Sequence, residues 1–152
     1  MPHSTKGVIA GLLATIVLSV AMLLQSAMGI APQVDIIGLI DRLGSIGRGG
    51  AWADHFIVGT ILWGALFAGL DFVTPRAPHW LKGLIFGAGA WLAMMLVFMP
   101  VVGAGLFGTN LGIAAPAVTL VLHLIYGAAL GIAFSFVDTW APVESGTGMP
   151  KA

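Results

Sequence analysis

The sequence predicts an all-α fold: a four-helix transmembrane bundle made of two parallel-related two-helix repeats. Three observations lead there. Hydrophobic residues fill 59% of the chain and charged residues only 8%, against about a quarter charged in soluble domains, so most of the surface cannot face water. Four apolar stretches reach the roughly 20 residues needed to cross about 30 Å of hydrocarbon. Two short phrases also recur in the same order. KGVIAG at 6–11 returns as KGLIFG at 82–87, and DHFIVG at 54–59 returns as LHLIYG at 122–127.

The first stretch runs from Val8 to about Met28, with Ser19 and Gln25 its most polar members. Lys6 before it and the small Ala27 and Gly29 after it would suit a secretory signal. Its apolar core, however, exceeds the usual run of about 7–15 residues, and the phrase that matches it at 82–87 is internal, so the stretch is read as a retained span. The second stretch covers about Ala53 to Phe72. The third covers Gly83 to about Met99 and ends at Pro100, and the fourth runs from about Ala114 to Val137. Each must be helical, because backbone N–H and C=O groups in lipid have no water to bond.

The connections differ in kind. In VDIIGLIDRLG, Val34, Ile37, Leu39, Ile40 and Leu43 alternate with Asp35, Asp41 and Arg42. That pattern reads either as a short amphipathic helix in the membrane interface or as an ordered loop. Residues 101–113, VVGAGLFGTNLGI, carry no charge, and their glycines predict a tight loop or a dip into the membrane edge. The polar tail, about 142–152, is predicted to be disordered. The whole chain, 1–152, is then a single membrane domain, with repeat 1 at about 6–73 and repeat 2 at about 82–138.

Lysine and histidine carry the repeat argument, since glycine and isoleucine matches are cheap in so apolar a composition. The lysine-to-histidine interval is 49 residues in the first half (Lys6 to His55) and 41 in the second (Lys82 to His123), and an insertion in the outer connection accounts for the difference. Two spans per copy give both copies one orientation, related by a pseudo-two-fold axis along the membrane normal. Lys6, Arg76, Lys82 and Lys151 fall on one side and Arg42 and Arg48 on the other. That bias predicts both termini in the cytoplasm of a cell whose inner membrane holds the protein.

Gly7 and Gly11, Gly83 and Gly87, and Gly127 and Gly131 form small-xxx-small pairs that let backbones approach. On the fourth span His123, Gly127, Leu130 and Phe134 share a face, and on the second His55, Gly59, Leu62 and Leu66 do the same. His123 lies about 10 Å, two turns, past Pro116. An ionisable side chain inside a span usually faces the bundle interior, and three roles stay open for the His55 and His123 pair. Each imidazole could bond a carbonyl or hydroxyl on a neighbouring helix. The two could hold a haem or metal ion across the axis. They could serve a relay or gate for protons or a small solute in a transporter or channel.

Other chemistry is sparse. There is no cysteine, which removes disulfides and thiolate sites. The zero formal net charge argues against nucleic acid. No GxSxG, HExxH or Walker pattern appears, and no catalytic residue or enzyme activity is predicted. Met94, Met95 and Met99 read as packing rather than soft-metal ligands. Asp71 and Asp138 read as solvated residues at span ends, with inner-side contacts to Arg76, Lys82 or Lys6 as the alternative. The runs KGLIFGAGAWLAMMLVFMP, GAGLFG and LHLIYGAALG, with KGVIAG and HFIVGTILWG, resemble an uncharacterised family of small four-span bacterial integral membrane proteins. The resemblance covers about residues 5–137 and implies a bacterial membrane protein with no activity attached. The expected partners are the lipid bilayer and either a second copy or another membrane protein, in a structural or accessory role.

Overall fold

The computed structural model describes residues 1–140; the tail expected to be disordered lies outside the described residues. Four helices are long and apolar enough to cross a membrane: α1 (His3–Ala27), α3 (Gly47–Val73), α4 (His79–Val101) and α5 (Ala115–Trp140). A shorter α2 (Ile36–Gly44) precedes α3, and a 3₁₀ turn (Leu106–Leu111) precedes α5. Prolines mark the starts of α1 and α4, where Pro2 and Pro78 stand at the N-caps. There the missing N–H costs nothing.

The few buried polar side chains face the bundle interior among apolar and small residues, and large aliphatic side chains cover the outside. On α1 the buried residues are Lys6, Gly7, Ala10, Gly11, Ala14, Thr15 and Ser19, a stripe of small and polar side chains at three-to-four spacing. Leu12, Leu13, Ile16, Val17, Val20, Leu23 and Leu24 are exposed. Between lipid-solvated helices no hydrophobic drive exists, so close backbone packing takes its place. A Cβ on Gly7 would strike the Gly64 carbonyl, one on Gly83 the Gly127 carbonyl, and one on Gly131 the His79 carbonyl. Gly11 meets the backbone of Thr60 and Gly87 that of His123, while Gly59 meets the side chain of Thr15. These contacts join α1 to α3 and α4 to α5; α1 and α5 also pack together at the centre.

α3 and α4 touch each other at one end only. There Trp63 and Phe67 meet Phe86 edge-on, at centroid distances of 5.7 and 5.6 Å, and Phe67 meets Phe134 at 5.3 Å. Both helices contain a π-helical segment, Val58–Trp63 in α3 and Met94–Phe98 in α4. The segment in α3 corrects the predicted face. Steps of three and four from Gly59 lead to Leu62 and Leu66, yet both are 49% exposed. The wider turn inserts one residue, so the buried line passes instead through Gly64, Phe67, Ala68 and Asp71.

The far end is closed by α2 and the glycine-rich connection. α2 is helical, with Asp35 at its N-cap accepting from the Gly38 N–H at 3.0 Å. Its Leu39 packs with Met95, Met99 and Ala104. Gly103, Gly105, Gly108 and Gly112 all have φ between 68° and 98°, a region that favours glycine, so this connection folds back on itself. Asn110 fastens it by donating from Nδ2 to the Gly103 carbonyl at 3.0 Å.

Candidate functional site

Polar side chains gather at the two ends of the bundle. At the end where α3 and α4 meet, Lys6 on α1 reaches Asp138 on α5 at 2.8 Å, and Lys82 on α4 reaches Asp71 on α3 at 2.6 Å. Both lysines are buried, as is Asp71, which corrects the reading of Asp71 as a solvated boundary residue. Its carboxylate is the meeting point of one lysine and two histidines. His3 Nε2 lies 3.2 Å from Oδ2, and His79 Nε2 and Lys82 Nζ lie 3.1 and 2.6 Å from Oδ1. Phe134 sits against both imidazoles, at 5.5 Å from His3 and 5.4 Å from His79.

Sequence reasoning gave His3 and His79 no part. A signal was present: each stands three residues before a lysine and directly after a proline, in PHSTKG and PHWLKG. The repeated phrase thus extends further upstream than the lysines. Counting backwards from Lys6 and Lys82 would have drawn in both histidines, although nothing in the sequence says that they meet on one carboxylate.

His55 and His123 both line a cavity of about 400 Å³ at the opposite end, where α3 and α4 diverge. Its walls come from α3, α4 and α5, with Leu18 and Met22 of α1 and Ile36 and Ile40 of α2 closing it. Both π segments border it: Val58, Gly59 and Trp63 on one side, Met94, Val97 and Phe98 on the other. Ala93 and Val97 on the α4 wall are exposed, so the cavity is not sealed.

Each histidine has one nitrogen engaged. His123 Nδ1 lies 2.8 Å from the Thr119 carbonyl of its own helix, which differs from the expected bond to a neighbouring helix. A carbonyl only accepts, so Nδ1 carries a proton, and in the neutral ring Nε2 keeps a lone pair. His55 Nε2 lies 3.2 Å from Ser19 Oγ on α1. The Ser19 hydroxyl donates its single proton to the Thr15 carbonyl at 2.8 Å. Ser19 Oγ must therefore accept from His55, which puts the proton on Nε2 and leaves Nδ1 as the acceptor. Tyr126, also on the wall, donates to the Gly59 carbonyl at 2.7 Å and ties α5 to α3 beneath the cavity. Trp91 Nε1 donates to the Pro116 carbonyl at 3.1 Å and to Thr119 Oγ1 at 3.2 Å. No group of three or more His, Asp or Glu side chains suited to a metal ion occurs among the described residues.

A family description matches residues 1–144. The chain belongs to DUF6789, a family of unknown function. Comparison with curated proteins and with solved structures finds no match. The family brings no activity, so the chemistry has to be read from the side chains of the cavity and of the ion-paired end.

Proposed function

We propose that this protein is a non-catalytic, multi-pass subunit of a bacterial inner membrane that holds a small lipid-soluble molecule between α3 and α4. The observation that carries the reading is the cavity of about 400 Å³, walled mostly by aliphatic, aromatic and methionine side chains, with two histidines, Thr119 and, beside His55, the Asp54 carboxylate among them. Small-molecule sites have this size and make-up, apolar walls with a few placed polar groups. The other half of the bundle is filled by Phe67, Phe86 and Phe134 and by the lysine–aspartate pairs, which favours holding a molecule over passing it through.

The same reading includes the duplicated hairpin and the cytoplasmic termini. His55 to Asp71 spans sixteen positions and His123 to Asp138 fifteen, the single-residue difference that one π turn in α3 supplies. Lys6, Lys82 and Arg76 lie toward the end that holds the N-terminus, while Arg42 and Arg48 lie at the other, where Arg48 pairs with Asp35. The surplus of cations thus stands on the side proposed to face the cytoplasm.

The test uses the protein in lipid nanodiscs and 4-bromoanisole, a small apolar molecule whose bromine quenches tryptophan fluorescence. Saturable quenching is expected, lost in Trp63→Phe, which removes the reporter on the wall, and in Ala93→Phe, which fills the space. Quenching that rises linearly, equally in wild type and Ala93→Phe, would reflect partition into lipid and sink the proposal.

A further inference from the structure

We infer that the molecule held in this cavity is a hydrogen-bond donor of the aromatic alcohol class, a phenol or hydroquinone, bound through its hydroxyl to an imidazole lone pair. The inference rests on the cavity reading above and adds the chemistry of the occupant. Both wall histidines have committed their protons elsewhere, His123 to the Thr119 carbonyl and His55 to Ser19. What remains on each ring is an acceptor, His123 Nε2 and His55 Nδ1, with no partner among the described residues. A lone pair left unused in an apolar surrounding is costly, and it is relieved by a ligand that brings a proton. A quinone carbonyl brings none.

The remaining polar groups of the wall point the same way, and the Asp54 carboxylate beside His55 is a further acceptor and offers no proton. The Tyr126 and Thr119 hydroxyl protons are used, on the carbonyls of Gly59 and Ala115. The Trp63 indole N–H has no partner among the described residues, and a hydroxyl oxygen can accept from it while giving its own proton to an imidazole. The shape of the wall favours an aromatic body. Trp63, Phe98 and Tyr126 offer ring faces and edges, and Met94 offers a polarisable sulfur that packs well against rings.

The experiment compares 4-bromophenol with 4-bromoanisole in the nanodisc assay. The two differ in one methyl group, and only the phenol can donate. The phenol is expected to bind about tenfold more tightly, the worth of one hydrogen bond that spares a desolvated acceptor. In His123→Phe the ratio is expected to fall to about one while the ether still binds. Equal affinities in the wild type would overturn the donor assignment and leave the cavity reading standing. Failure of both to saturate would overturn the two together. A phenol preference that survives unchanged in both His123→Phe and His55→Phe would remove the imidazoles from the assignment. A Soret band in the purified protein, lost in His123→Phe, would put iron on the lone pair and overturn the alcohol class. The wild-type comparison needs no variant, so a misfolded mutant cannot shelter the inference.

Discussion

The two ends of the bundle make opposite use of the few polar side chains in an apolar chain. At the ion-paired end, two lysines and two aspartates neutralise one another across four helices, two histidines join them on Asp71, and α3 and α4 are drawn together by Asp71 and Lys82. At the cavity end, the two histidines bond to their own helix or to α1, Tyr126 and Trp91 tie α5 to α3 and to α4, and no side-chain bond joins α3 to α4 around the cavity among the described residues. A polar residue inside lipid acts as glue when its partner sits on another span. It becomes a candidate site when part of its bonding capacity is left over.

The largest break in that contrast comes from Asp71→Asn. It strips the buried Lys82 of its counter-charge and withdraws the carboxylate from His3 and His79. Losing one partner of a buried pair costs about 3–5 kcal/mol, and thermal unfolding followed by helical circular dichroism in detergent reads it directly. Asp138→Asn should cost less, because that carboxylate is 38% exposed and water can take over part of its role. Equal, small losses for the two variants would mean that the ion-paired end is not the glue described here.

A second, smaller effect sharpens the comparison along single helices. Gly83→Ala and Gly127→Ala each force a methyl against the carbonyl of the facing helix, and overpacking of this kind costs about 1–3 kcal/mol. Gly89→Ala, on the same α4 but with nothing within 4 Å of its Cβ position, should leave stability unchanged or raise it slightly. The same unfolding measurement on the three variants decides this, and a loss in Gly89→Ala matching that in Gly83→Ala would contradict the packing scheme.

The smallest effect lies outside the spans. Burial pushes the Asp35 carboxyl up, but the bonds from Arg48 and the Gly38 N–H, with the charges of Arg48 and Arg42, outweigh it and hold the group below the usual carboxylate value. A lowered folded-state value means stability that is present above the unfolded value and lost as pH falls through the folded one. Unfolding between pH 6 and pH 3 should therefore show a loss below about pH 4, a small one because so exposed a pair is screened by water. Arg48→Ala should flatten that part of the profile. An unchanged pH profile in the variant would detach Arg48 from the effect.

Part of this architecture is legible in the sequence. The four spans and the glycines as sites of backbone approach follow from hydropathy, from spacing and from the cost of bare peptide groups in lipid, whereas the alternation in VDIIGLIDRLG fits a helix or an ordered loop equally until the structure makes it α2. The site was legible in part: His55 and His123 stand out because a histidine in a span needs a reason. Other features were not. The burial of Asp71 could not be read, because a carboxylate at a span end looks solvated unless its partners are known, and those partners are 8, 11 and 68 positions away. The exposure of Leu62 and Leu66 could not be read either, since a single π turn rotates every later residue and leaves no mark in composition.

What the sequence determined alone is therefore local: which segments are helical, which are long enough to span, and which residue types each helix presents. The tertiary structure decided the rest: which lysine meets which aspartate, that α3 and α4 meet at one end and open at the other, and which nitrogen of each imidazole stays free. The physical reason is reach. Hydropathy and backbone satisfaction act within one helix, whereas an ion pair, a cavity or a tautomer is fixed by atoms that three other helices bring.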